Sequence, residues 1–130
     1  MERPASIGET SPAEPPPYSD PPVFSCSAQG QELVFYPGGR DRFARLLALI
    51  GAAQESLKLA FYIFCTDDTG QRVRDALTAA ARRGVAVSLI VDGFGAKADE
   101  SFFAELIEAG GHFCKFEPKW SDYFIRNHQK

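Results

Sequence analysis

Residues 32–130 have no excess of charge of either sign. The chain has 14 Lys and Arg against 17 Asp and Glu, and only Arg3 and four of the acids fall within residues 1–31. The rest of the sequence therefore carries as many basic as acidic side chains. Proteins that hold nucleic acid through its phosphates usually present a clustered basic surface. We therefore expect no nucleic-acid partner.

Long apolar runs and metal-type cysteine spacings are also missing. The apolar stretches are interrupted by charged residues or glycine within about ten residues, whereas a transmembrane helix needs about 20. Prolines stand where a signal peptide would need its apolar segment. The 3 cysteines, Cys26, Cys65 and Cys114, are odd in number and do not have the spacing of metal ligands. These absences predict reduced thiols, a cytoplasmic protein and no bound metal.

Proline is concentrated at the start of the chain. Seven of the 9 prolines lie within residues 1–31, where apolar side chains are few and scattered. Such a stretch buries too little surface to offset the entropy lost on ordering. We predict a disordered, proline-rich N-terminal tail over residues 1–31 and a folded domain over residues 32–130.

Two apolar periods alternate along residues 32–130. Runs typical of strands lie at residues 33–36, 57–64, 85–91 and 112–116, with another near Tyr123. Between them, apolar residues recur at helical spacing over residues 43–53, 73–80 and 102–107. This order predicts an α/β fold with a mainly parallel sheet flanked by helices. The run at residues 85–91 is apolar enough to predict cover on both faces.

Acidic residues follow two of these predicted strands. Asp67 and Asp68 follow the second strand, and Asp92 follows the third. Ligands of parallel sheets collect beyond the carboxyl ends of the strands. Asp67 and Asp68 are better explained as caps of the next helix. Asp92 either positions a polar group of a site or caps the turn that contains Gly93 and Gly95; the sequence supports both readings.

The most informative residues are His128 and Lys130 at the end of the sequence Arg126-Asn127-His128-Gln129-Lys130. In an extended strand, residues two apart point to the same face, so this His and Lys would stand side by side. An imidazole can attack phosphorus or shuttle a proton, and an ammonium group can hold phosphate charge. Taken alone, such a pair is more often two polar surface residues.

Several short segments in order make residues 32–130 resemble the phospholipase D superfamily, and within it the N-terminal part of bacterial cardiolipin synthases. These segments are Tyr36-Pro37-Gly38-Gly39, Phe61-Tyr62-Ile63-Phe64, Asp68-Thr69-Gly70, Arg83-Gly84-Val85-Ala86-Val87, Val91-Asp92-Gly93-Phe94-Gly95 and Arg126-Asn127-His128-Gln129-Lys130. The family signature is H-x-K followed by Asp, and the family uses it twice. Because this chain shows one His and Lys and no second copy, we expect an incomplete half-domain, cut within the first motif.

The resemblance implies phosphatidyl transfer between two phosphatidylglycerol molecules through a phosphohistidine. His128 would be the nucleophile or its partner, and Lys130 would clamp the phosphate. Arg126, Asn127 and Asp92 would contact the substrate, without a metal or other cofactor. The second motif would come from a missing C-terminal part or from a second subunit. Peripheral contact with the cytoplasmic face of the cell membrane would fit such a substrate.

Two alternatives stay open at this point. One is a phosphodiesterase or nuclease of the same superfamily, which the balanced charge of residues 32–130 disfavours. The other is a non-catalytic fragment, which one incomplete motif would explain. We expect the isolated 130-residue chain to be inactive.

Overall fold

The structure, a computed structural model, describes residues 17–117. The chain forms two units, Met1–Asp41 and Arg42–Lys130. Residues 1–16 and 118–130 lie outside the described part, and with them the strand predicted near Tyr123.

The first unit contains a β-hairpin. Strand β1 (Phe24–Ala28) pairs antiparallel with β2 (Gln31–Phe35), and the rings of Phe24 and Phe35 stack with centroids 4.9 Å apart. Gln29 and Gly30 form the connection with positive φ angles of 50° and 76°. Positive φ at both turn positions matches the twist of a two-residue hairpin.

The hairpin crosses the boundary predicted at residue 31. Strand β2 overlaps the predicted strand, whereas β1 lies within the stretch predicted as the disordered tail. The sequence of β1, Phe-Ser-Cys-Ser-Ala, alternates with period two, but four of its side chains are small. Low apolar content therefore concealed the strand. For residues 1–16 the predicted disorder stays a prediction.

The second unit is built on a parallel sheet. Helix α1 (Gly39–Ala52), most of which belongs to this unit, leads into β3 (Ser56–Phe61). Helix α2 (Asp68–Arg82) connects β3 to β4 (Ala86–Asp92). Helix α3 (Ala104–Glu108) then connects β4 to β5 (His112–Phe116). The strands lie in the order β3-β4-β5 and all run parallel. The predicted α/β class with a parallel sheet and flanking helices is confirmed.

Specific residues mark both ends of helix α2. Asp67 accepts a hydrogen bond from the Gly70 amide at its N-cap, and the chain leaves the helix after Arg83 through Gly84, whose φ is 92°. Its buried face carries Val73, Leu77, Thr78, Ala80 and Ala81. The Thr78 hydroxyl donates to the Arg74 carbonyl at 2.9 Å, so its buried oxygen is paired.

The core lies between the helices and one face of the sheet. Val87, Leu89 and Val91 of β4 are buried on this face, against a cluster that includes Leu77 and Phe103. Burying one such side chain contributes about 1.5–3 kcal/mol. The ring of Phe103 lies 5.2 Å from that of Phe64 and 4.6 Å from that of Phe113. This packing joins the helix side of β5 to the loop that follows β3.

The opposite face of the sheet is exposed. The alternate residues of β4, Ala86, Ser88 and Ile90, are open to solvent. The prediction that this strand is covered on both faces is therefore wrong for the described part of the chain. Each strand pairs with the next one in sequence, and right-handed crossovers then place both connecting helices on the same side. Contacts between α2 and α3 agree with this arrangement.

Candidate active site

Asp92 lies at the carboxyl end of the central strand, where β4 turns into a loop. Its Oδ1 accepts hydrogen bonds from the amides of Phe94 at 2.8 Å and Gly95 at 3.2 Å. The side chain is partly exposed. The turn-capping interpretation of Asp92 is thus observed directly. The carboxylate stays at the edge of the sheet, where a ligand of a parallel sheet is expected.

The loops after the three strands are joined at this edge. Gly93 donates to the Phe116 carbonyl at 2.8 Å, which ties the loop after β4 to the end of β5. The backbone amide of Lys97 donates to the Phe64 carbonyl at 3.0 Å, and Phe64 and Ala96 form a parallel β-bridge. Gly95 packs so closely on the Tyr62 carbonyl that a Cβ there would collide with it. Backbone contacts therefore connect the loops after β3 and β4 and the end of β5 along this edge.

The two other predicted acidic residues belong to the start of α2. Asp67 is the N-cap, with its Oδ1 2.9 Å from the Gly70 amide nitrogen, so its prediction as a cap is confirmed. Asp68 is exposed in the first turn of the helix and makes no N-cap itself. A negative charge at this position interacts favourably with the helix dipole.

Sequence reasoning missed Asp99, which organises the turn before α3. Its Oδ1 accepts from the Ser101 hydroxyl at 2.6 Å and from the Phe102 amide at 3.1 Å. The hydrogen bond from Ser101, and then that from the Phe102 backbone, hold the pKa of this carboxyl below its ordinary value. The signal available in the sequence was Asp-x-Ser before an aromatic pair, a pattern typical of a capping turn.

The structure brings one predicted site residue, Asp92, to the carboxyl edge. Arg126, Asn127, His128 and Lys130 lie outside the described residues. Their roles stay predictions. What the described part supplies is a carboxylate and a loop platform at the ends of parallel strands.

Residues 17–117 contain no helix with both the length and the apolar character needed to cross a membrane. In the same part of the chain, no group of three or more His, Cys, Asp or Glu side chains lies close enough together to hold a metal ion.

Residues 46–130 match the family described as cardiolipin synthase, PLD-like domain. The major cardiolipin synthase ClsA of Bacillus subtilis is 43% identical over 81 residues, covering 62% of this chain and 17% of that protein. A cardiolipin synthase of Clostridium perfringens is 32% identical over 111 residues, covering 82% of this chain and 23% of that protein. Cardiolipin synthase B of Escherichia coli is 31% identical over 115 residues, covering 82% of this chain and 28% of that protein.

The chain thus spans less than a third of the length of the curated relatives it matches. No solved structure matches it significantly. The family match includes the whole parallel sheet, the Asp92 loop and the His128-Gln129-Lys130 sequence. The chain therefore belongs to the phospholipase D-like family of the cardiolipin synthases.

Proposed function

We propose that this chain is part of an enzyme that transfers a phosphatidyl group from one phosphatidylglycerol molecule to another, giving cardiolipin and glycerol. One observation carries the proposal. The family match runs from Leu46, within helix α1, through the Asp92 loop to Lys130. The relatives that match are named cardiolipin synthases.

In the proposed reaction an imidazole nitrogen attacks the phosphorus of phosphatidylglycerol. A nitrogen–phosphorus bond forms as the bond from phosphorus to the glycerol oxygen breaks. The His of a second motif gives its proton to the departing glycerol. The same His then takes the proton from a hydroxyl of the second phosphatidylglycerol, whose oxygen attacks phosphorus and releases the first His. Because the unperturbed pKa of His is about 6.5, a neutral imidazole is available near pH 7.

His128 is the proposed nucleophile or its partner, and Lys130 the proposed clamp on the phosphoryl oxygens. Arg126 can add charge-assisted hydrogen bonds to phosphate, and the side-chain amide of Asn127 can donate a hydrogen bond to another part of the substrate. Asp92 is proposed to bind a hydroxyl of the glycerol headgroup. Its carboxylate already aligns the loop through the Phe94 and Gly95 amides, which supports a fixed position.

A second His and Lys pair is required, from another part of a longer protein or from a second subunit. We therefore propose that the 130-residue chain has no turnover alone. We also propose that the protein is cytoplasmic or binds the cytoplasmic face of the cell membrane peripherally. The balanced charge of residues 32–130 supports a lipid substrate over a nucleic acid.

The test begins with the genomic sequence downstream of the Lys130 codon. The product of the whole reading frame is then incubated with vesicles of phosphatidylglycerol, and cardiolipin and glycerol are measured. The chain has 2 histidines, so His112→Ala is a matched control for His128→Ala. His112 is exposed on the open sheet face. We expect His128→Ala to abolish transfer and His112→Ala to leave it unchanged.

The results also separate the alternatives. A protein that leaves phosphatidylglycerol intact but cleaves DNA is a nuclease of the same superfamily, and the lipid proposal fails. Transfer that persists in His128→Ala refutes the assignment of His128. Phosphodiester cleavage by the isolated chain refutes its proposed inactivity. If a stop codon directly follows the Lys130 codon, and two copies of the chain together transfer no phosphatidyl group, the chain is a non-catalytic fragment instead.

A further inference from the structure

The open face of the sheet carries a polar row of side chains followed by an apolar row. Near the amino ends of the strands, Lys58, Ser88 and His112 form one cross-strand row. The next row toward the carboxyl ends, formed by Ala60, Ile90 and Cys114, is apolar. Phe116 on β5 lies one row further on, opposite Asp92. We call Ala60, Ile90, Cys114 and Phe116 the apolar patch; the first three are neighbours across β3, β4 and β5.

The apolar patch is exposed although it lies on the central and edge strands of a sheet. Ile90 is 37% and Phe116 54% exposed, and Cys114 is also exposed. Contiguous exposed apolar side chains on a sheet mark a surface that another segment or molecule covers. The small side chains of Ala60 and Cys114 flank Ile90 in its row. They leave room above the sheet for large apolar side chains of another segment.

We propose that residues 119–125 of this chain cover the apolar patch. Strand β5 ends at Phe116, itself part of the patch, and the described chain ends at Glu117. The following segment therefore starts beside the surface. Within seven residues it carries four large apolar side chains, which are Trp120, Tyr123, Phe124 and Ile125.

The segment is long enough to cross the sheet. Eight residues separate Glu117 from Ile125, and an extended chain covers about 3.3 Å per residue, or roughly 26 Å. Three strands spaced about 4.8 Å apart span roughly 10 Å between the first and the last. The reach therefore exceeds the width of the patch.

The test uses the single tryptophan of the chain, Trp120. In the folded 130-residue chain, we expect its emission maximum to be shifted to the blue, and its quenching by acrylamide to be reduced, relative to the denatured chain. Ile90→Asp should return both quantities toward their denatured values. Ile107→Asp is the matched control, since Ile107 is 41% exposed on α3, outside the patch. It should leave both unchanged.

Three results overturn the proposal. The first is a solvent-exposed emission of Trp120 in the folded chain. The second is a blue shift that appears only with phosphatidylglycerol vesicles, which would make the patch a lipid contact. The third is a shift that grows with protein concentration, which would make it a contact between two copies. None of these measurements depends on catalysis, so they are independent of the proposed phosphatidyl transfer.

A second measurement covers the case in which far-UV circular dichroism shows that Ile90→Asp does not fold. In a chain with Cys26→Ser and Cys65→Ser, Cys114 is the one remaining thiol. Its rate of reaction with a maleimide reports access to the apolar patch. We expect the rate to rise when Trp120 and Phe124 are both replaced by Ala. An unchanged rate contradicts the proposal.

Discussion

Two glycines in helices should respond in opposite directions to the same substitution. Gly51 lies near the end of α1, and a Cβ built there meets no atom within 4 Å. Gly70 lies in the first turn of α2, and a Cβ there would collide with the carbonyl oxygen of Cys65. Because that oxygen belongs to the backbone, it cannot move aside as a flexible side chain could.

The expected free energies follow from these surroundings. Gly51→Ala removes backbone freedom from the unfolded chain and should stabilise the fold by about 0.4–1 kcal/mol. Gly70→Ala has the same gain, but overpacking costs about 1–3 kcal/mol. It also displaces the amide that donates to Asp67. We therefore expect Gly70→Ala to destabilise the fold by about 1.3 kcal/mol, the difference between the midpoints of these two ranges.

The assay is urea denaturation of the two variants and the parent chain, followed by far-UV circular dichroism at a single protein concentration. The two midpoints should lie on opposite sides of that of the parent chain, with similar slopes. Stabilisation by Gly70→Ala would refute the close approach of α2 to the loop after β3. Destabilisation by Gly51→Ala would refute the open surroundings of α1.

Three further predictions concern single side chains. Asp67→Ala removes the N-cap of α2 and should lower the free energy of unfolding by about 1 kcal/mol in urea denaturation; Asp68→Ala, with no cap bond to lose, should cost clearly less. Leu77→Ala should cost about 2–5 kcal/mol in the same measurement, because Leu77 is fully buried against the sheet, and a loss below 1 kcal/mol would contradict that packing. The hydrogen bonds to Asp99 lower its folded pKa, so their contribution to stability is present above the ordinary pKa of 3.8 and is lost as the pH falls through the lower folded value. Asp99→Ala should therefore make stability less dependent on pH in this acidic range. Thermal denaturation of the variant and of the parent chain at a series of pH values measures this dependence. Identical pH profiles for the two proteins would contradict a contribution of these hydrogen bonds.

The order of helices and strands in the second unit could be predicted because each element has a clear apolar period. Strand β4 and helix α2 are examples, since their buried residues recur at two and at about 3.6 positions. Asp67 was also predictable, because a cap depends on its own short segment. These features need no knowledge of distant contacts.

Other features depend on what packs against a segment. Ile90 and Val91 are equally apolar, yet the first faces the open side of the sheet and the second the core. Local sequence does not say on which side the helices lie. Strand β1 was missed because its serines and alanine hide its period. For Asp92 the sequence left two roles open, and the turn geometry shows one; its role in binding substrate stays a prediction, as do those of His128 and Lys130.

The succession of β3, β4 and β5 as neighbours has a consequence for biosynthesis. Each strand pairs with the one made just before it, after a single helix has been synthesised. Contacts that are short in sequence form quickly, and chains fold from the amino end during translation. The β3-β4 pair and α2 can therefore assemble while later residues are still within the ribosome. The β3-β4 pair and α2 can thus be formed before the segment that contains His128 emerges from the ribosome.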